Sequence, residues 1–209
     1  DWLVHINEEI SVLVPDVNAI AGDKLTAYAP NTTGILYGKE KEKEIIKQLF
    51  DIGCLFKYID DFEVFESSFM AIALKEIEYR KEQKINSIET ILNDIIETSL
   101  LMAKRENQLN EKDKNNYAEL IRGINQFNHF VYSGAFRIED AQLASAKAAF
   151  LAANILSKSK SKIIHFNEKN AEHLTLIQHP DYNFLNKKLK FVAKGEALFY
   201  WKKTIELIS

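Results

Sequence analysis

The sequence predicts a mainly α protein, a helical bundle entered from a short β element. Three observations carry that expectation. Only 7 of the 209 residues are glycine and 3 are proline, and none of the prolines lies between Pro30 and Pro180. Long helices need such a stretch, whereas a turn-rich β-sandwich would not show one. Apolar residues recur through it at three- and four-residue steps, the period of a helix with one buried face. Ahead of it, Trp2 to Val14 is rich in β-branched and aromatic residues with partial alternation and stops at Pro15. That pattern reads as one or two strands.

The elements follow in order. Asp16-Val17-Asn18 is a turn whose Asp16 or Asn18 can cap a helix from Ala19 to Ala29, which must end before Pro30. Asn31 to Gly34 forms a loop, with Gly38 at its far end. The charged run from Lys39 leads into a helix whose buried stripe is Ile45, Ile46, Leu49, Ile52, Phe56 and Ile59. Further helices are expected at Phe62 to Arg80, Ile85 to Met102, Tyr117 to Val131, Glu139 to Leu156 and Glu196 to Ile208. Lys104 to Asn116 reads as a polar connection and Ser157 to Lys162 as a short low-complexity loop. Residues 1–60 are expected as one region and residues 61–209 as a C-terminal helical domain.

Composition narrows the function classes. Hydrophobic residues make up 46% and charged residues 27%, enough to build a core. The formal charge of -3 gives no global field for nucleic acid or anionic membrane, so only a local basic patch would serve. The single cysteine, Cys54, rules out an internal disulfide framework and a four-cysteine zinc module. No apolar run approaches the roughly 20 residues of a membrane-spanning helix. The expected compartment is the cytoplasm. The chain opens on Asp1-Trp2 without an initiator methionine, which reads as a piece of a longer protein.

The segment richest in chemistry is Lys24-Leu25-Thr26-Ala27, then the loop Ala29-Pro30-Asn31-Thr32-Thr33-Gly34, then the helix Glu44 to Asp51. Lys24 is expected on the first turns of its helix, where an ammonium can meet a phosphate as a point charge. Asp51 lies one turn beyond Lys47, so the two can equally form an ordinary helical ion pair, with Lys24 a solvated surface lysine. Across roughly residues 15–60 these motifs resemble the nucleotidyltransferases of the AbiEii/AbiGii toxin family, from type IV toxin–antitoxin and phage-abortive systems. The resemblance implies that Lys24 contacts the nucleotide and Asp51 supports the active site, with Lys47 carried over as a phosphate contact. It further implies transfer of nucleotides from a nucleoside triphosphate with Mg2+ to an RNA acceptor such as tRNA, restrained by an antitoxin protein. The helical remainder then corresponds to the C-terminal part of an α/β nucleotidyltransferase.

Two departures qualify the likeness. The family commonly carries Arg-Asp before the second aspartate, where this chain has Ile46-Lys47-Gln48-Leu49-Phe50-Asp51. The Gly-Ser turn and Asp-x-Asp/Glu pair that hold metal in this chemistry are absent. The nearest mimic, Gly53-Cys54 followed by Asp61-Phe62-Glu63, lies in helical sequence and does not fit. The catalytic half is therefore expected upstream in a longer protein, and this chain alone is expected to be inactive, binding neither metal nor nucleotide by itself.

Other constellations compete. Arg122 and His129, with six residues between them, fit the loose Arg-x4–6-His pattern of HEPN ribonucleases, in which histidine serves as general acid/base and arginine stabilises the phosphorane. The bland reading is a surface arginine and a helix-end histidine. His165, His173 and His179 lie near Glu168 and Glu172 without metal-ligand spacing, and His5 falls on the polar face of the first strand. Cys54 is expected as a small core residue. Phe184, Phe191, Phe199, Tyr200 and Trp201 are interleaved with Lys187, Lys188, Lys190, Lys194, Lys202 and Lys203. They close the core at the chain's end or, alternatively, form a stacking surface for RNA. A helical module that binds RNA or protein without catalysis is the rival from another class.

Overall fold

The computed structural model describes residues 11–80, 87–104, 109–132, 134–158, 163–167, 169 and 174–209. The described residues form eight α-helices: α1 Val17–Ala27, α2 Glu42–Leu55, α3 Phe62–Tyr79, α4 Ile88–Lys104, α5 Glu111–Phe127, α6 Ile138–Leu156, α7 Leu185–Leu189 and α8 Glu196–Ile208. The mainly α class is as expected. The β element is not seen: residues 1–10 lie outside the described residues, and Ser11 to Asp16 are exposed without regular structure.

Local chemistry sets the helix ends. Asp16 Oδ1 accepts from Ala19 N at 2.8 Å and starts α1 two residues before the expected Ala19. Asp61 Oδ1 accepts from Val64 N at 3.1 Å ahead of α3. Asn110 Oδ1 accepts from Asp113 N at 2.8 Å, so α5 begins at Glu111, inside the stretch expected as a polar connection. That helix ends at Phe127, and Asn128 to Phe130 continue as a 3-10 turn. Phe56 to Tyr58 likewise tighten the end of α2.

α6 organises the core. It packs against α4, α8 and α2, and buried alanines (Ala141, Ala144, Ala146, Ala148, Ala149, Ala152 and Ala153) occupy most of its circumference. A helix apolar all round belongs in an interior. Its polar side chains turn inward to backbone: Gln142 Nε2 donates to Met102 O at 3.3 Å, and Asn154 Nδ2 to Phe150 O at 2.8 Å. Its Phe150 packs against the buried Phe56 and Tyr200, at ring distances of 6.4 and 5.5 Å, and Trp201 beside Tyr200 has no exposed surface. α1 packs on α3 and α2, and α2 on α5 and α6, so the first two helices share this core. Among the described residues no helix is long and apolar enough to cross a membrane.

Glycines allow two of these contacts. A Cβ on Gly22 would lie 2.6 Å from Phe65 O and 2.8 Å from Phe69 N, and one on Gly123 would lie 2.4 Å from Glu42 O. α1 therefore meets α3, and α5 meets α2, backbone against backbone.

Candidate functional site

Lys24 and Asp51 meet. Lys24 Nζ lies 3.0 Å from Asp51 Oδ2, linking α1 to α2, and each side chain keeps 24% of its surface exposed. Two features differ from expectation. Lys24 occupies the last turn of α1, not its first turns, because Asp16 starts the helix early; its charge there complements the negative end of the helix dipole. Asp51 pairs across helices with Lys24, while Lys47 is exposed on the same face of α2 one turn earlier.

The loop after α1 is clamped from two sides. Asp94, on the buried face of α4 and only 4% exposed, accepts four hydrogen bonds. Asn31 N (2.9 Å) and Thr32 Oγ1 (2.8 Å) reach its Oδ2, and Asn31 Nδ2 (2.6 Å) and Thr98 Oγ1 (3.2 Å) reach its Oδ1. Opposite, Arg80 donates through Nη1 to Thr32 O and through Nη2 to Gly34 O, each at 3.2 Å, while its Nε meets Glu76 at 3.2 Å. The loop folds back on α1: Gly34 N donates to Ala29 O at 2.9 Å, and a Cβ on Gly34 would sit 2.4 Å from Ala27 O. The α1 terminus that carries Lys24 is thereby held.

Burial shapes the titration of this region. Desolvation pushes the Asp94 carboxyl above its usual range, and the bonds from Asn31, Thr32 and Thr98 only partly offset it. Burial raises the Tyr28 hydroxyl far above normal; Ser99 tempers the effect and the Asp94 charge adds to it. Tyr37 is raised for the same first reason, with Tyr28, Asp94 and Glu119 adding charge. The hydroxyls of Tyr28, Tyr37 and Ser99 are buried together without full hydrogen-bonding geometry to a partner.

Arg122 and His129 fall on different elements. Arg122 lies on α5 and His129 in the 3-10 turn beyond it, exposed. Arg122 Nε is 3.3 Å from the buried Glu42 Oε1, which Gln126 Nε2 also reaches at 3.3 Å. Glu42 is held below the usual carboxylate range, first by a hydrogen bond from its own backbone and then by Arg122. His165 packs edge-on against Phe56 at 5.5 Å, and the His179 ring lies 5.0 Å from that of Tyr182, tilted by 51°. His5, His173, Glu168 and Glu172 lie outside the described residues. Among the described residues, no three His, Cys, Asp or Glu side chains are placed to hold a metal ion.

Cys54 overturns its core assignment: it is exposed. Gly53 takes the packed position, where a Cβ would lie 3.0 Å from Ala144 Cβ, and the next residue points outward. Burial, then the Asp51 charge, raises the Cys54 thiol above its usual pKa, against the opposing charges of Lys57 and Lys147. At the chain's end Phe199, Tyr200 and Trp201 are core, whereas Phe191 is 77% exposed with Lys190 Nζ 4.6 Å from its ring centre. Lys188 Nζ donates to Lys104 O, and Lys203 pairs with Glu206 at 2.7 Å.

The sequence reading missed Asp94, Arg80 and Glu42. Asp94 had a signal: it interrupts the apolar stripe Ile91, Leu92, Ile95 and Ile96 with a threonine four residues later. Arg80 and Glu42 had none, since each looks like a solvated charge at a helix end. Compared with known families, curated proteins and solved structures, the chain matches no family model, no curated protein and no solved structure.

Proposed function

We propose that this chain is the helical part of a nucleotidyltransferase of the AbiEii/AbiGii kind, which transfers a nucleotide from a nucleoside triphosphate to an RNA acceptor such as tRNA. The observation that supports this reading is the Lys24–Asp51 contact at 3.0 Å. The two side chains that the resemblance singles out lie 27 positions apart on different helices, and they come together at a half-exposed surface. In such a reaction an acceptor hydroxyl oxygen bonds to the α-phosphorus, the bond to the bridging oxygen of pyrophosphate breaks, and pyrophosphate leaves. Lys24 would balance charge on the phosphate oxygens, and Asp51 would hold the ammonium in place. Lys47, one turn away on α2, would add a phosphate contact from its exposed position.

The described residues do not fit a divalent-metal site. The Asp51 carboxylate is taken by Lys24, and no set of three metal-ligating side chains converges. Magnesium would be held by the Gly-Ser and Asp-x-Asp/Glu element that this chain does not contain.

The test is Lys24→Ala in the full-length protein, assayed for transfer of labelled nucleotide to RNA. Loss of a charged contact to a reacting phosphate lowers the rate about 10²–10³-fold, and we expect such a loss with an unchanged circular dichroism spectrum. Transfer at the native rate would remove Lys24 from the site. Metal-independent RNA cleavage that disappears in His129→Ala would favour the ribonuclease instead. Salt-sensitive RNA retention that falls with substitution of Lys188 and Lys190, without nucleotide, would favour the binding module.

A further inference from the structure

The exposed face of α2 joins the Lys24–Asp51 pair to a cleft between α2 and α6. Asp51 precedes Cys54 by three residues, about one helical turn, and Cys54 stands at the cleft's edge. The cleft has a volume of about 320 Å³, at the lower end of the roughly 300–1,000 Å³ of small-molecule sites. Its walls are apolar and aromatic. Phe50 and Phe136 pack edge to face at 5.4 Å, with Phe127 behind Phe50 at 5.1 Å. Its floor is the close approach of Gly53 to Ala144. Two charged side chains line it: the exposed Asp140, whose carboxylate accepts from Arg137 N at 2.8 Å, and Lys147, only 12% exposed and 2.9 Å from Glu196.

The chemistry of this surface changes along one helix. An aromatic-walled slot gives way to the Cys54 thiol and then to a lysine–carboxylate pair, with Lys47 exposed one turn further. The occupant that matches has a flat ring at one end and an anionic chain at the other. We propose that the cleft seats the heterocyclic base of the nucleoside triphosphate, with the ribose crossing α2 at Cys54 and the polyphosphate reaching Lys24. Phe50 and Phe136 would pack on the ring, a contact that every base can make. The Asp140 carboxylate at the rim would accept from an exocyclic amino group. This inference rests on the nucleotidyl-transfer reading and extends it to the position of the base.

The experiment uses the full-length protein and follows iodoacetamide alkylation of Cys54 by peptide mass spectrometry, alongside nucleotide transfer to RNA. A nucleoside triphosphate at about ten times its Kd should slow Cys54 alkylation about tenfold. Inorganic tripolyphosphate, which lacks the base, should leave the rate unchanged. Ala135→Trp, at an exposed position of the cleft wall, should raise KM for the nucleotide while kcat holds. Three results overturn the inference and leave the transfer reading standing: transfer with no protection of Cys54, equal protection by tripolyphosphate, or an Ala135→Trp enzyme with native KM. A thiol that stays unreactive in nucleotide-free protein even at alkaline pH, where it is ionised, also overturns it, because the cleft is then covered by protein. If neither transfer nor nucleotide binding is found, both readings fall together.

Discussion

A carboxylate that receives four hydrogen bonds while almost removed from water stands between two opposing effects, and Asp94 shows both. Its donors are two N–H groups of Asn31 and the hydroxyls of Thr32 and Thr98. Replacement by asparagine turns one acceptor oxygen into a donor facing other donors, and an unsatisfied buried group costs about 1–3 kcal/mol. We expect Asp94→Asn to lower the unfolding free energy by about that amount in urea titrations. The pH dependence has a definite sign. Burial raises the folded pKa above its ordinary 3.8, so between 3.8 and the folded value the folded chain holds more protons than the unfolded one. The contribution of Asp94 is fully present below that window and falls as pH rises through it. The Tm difference between the native protein and Asp94→Ala should therefore narrow from pH 4 towards neutrality; a constant difference would place Asp94 at an ordinary pKa. Glu42 has the opposite sign, since its pKa is lowered: its contribution is present at neutral pH and is lost in acid.

Between elements, what decides is how closely backbones approach. Gly123 lets α5 rest on the first turn of α2, and an added Cβ would lie 2.4 Å from Glu42 O, a backbone atom that cannot swing away. Gly123→Ala should separate α5 from α2 at a cost of about 1–3 kcal/mol or more. It should also loosen the Arg122–Glu42 contact that depends on that approach. Gly38→Ala is the control: nothing lies within 4 Å of its Cβ position, though its φ of +72° disfavours a side chain. The comparison by thermal unfolding separates packing from conformational strain, and equal losses for the two would refute the packing account. Most helix positions were legible at this scale. Glu196 to Ile208 is observed with the bounds its periodicity implies, and α3 and α6 end within one residue of expectation. The first six residues of α5 escape the periodicity because Glu111 to Asn116 carry no apolar side chain, so the apolar pattern starts only at Tyr117. The signal was Asn110, a cap. The left-handed Ala193-Lys194-Gly195 stretch before α8 left no pattern either, since only Gly195 is a residue that favours positive φ.

At the scale of the molecule, α6 couples everything. It touches α2, α4 and α8, so the helix bearing Asp51 and the chain's last helix share one interior. Removing a large side chain there should be felt throughout. Trp201 has no exposed surface, and Trp201→Ala should cost about 3–5 kcal/mol. The melt followed by circular dichroism should stay a single transition at lower temperature. Two separated transitions would show that residues beyond α6 unfold on their own.

By itself the sequence determined the helical class, the approximate helices and the buried stripe Ile45, Ile46, Leu49, Ile52, Phe56 and Ile59, because these follow from residue spacing along one chain. It also marked Lys24 and Asp51 as residues to watch. Tertiary structure alone decided that Asp51 pairs with Lys24 instead of Lys47, that Cys54 faces outward, and that Asp94 and Arg80 grip the loop between them. Helical periodicity records which way a side chain points but not which distant helix lies opposite. An ion pair 27 residues apart, or a carboxylate bonded 63 residues away, depends on how the helices stack around α6.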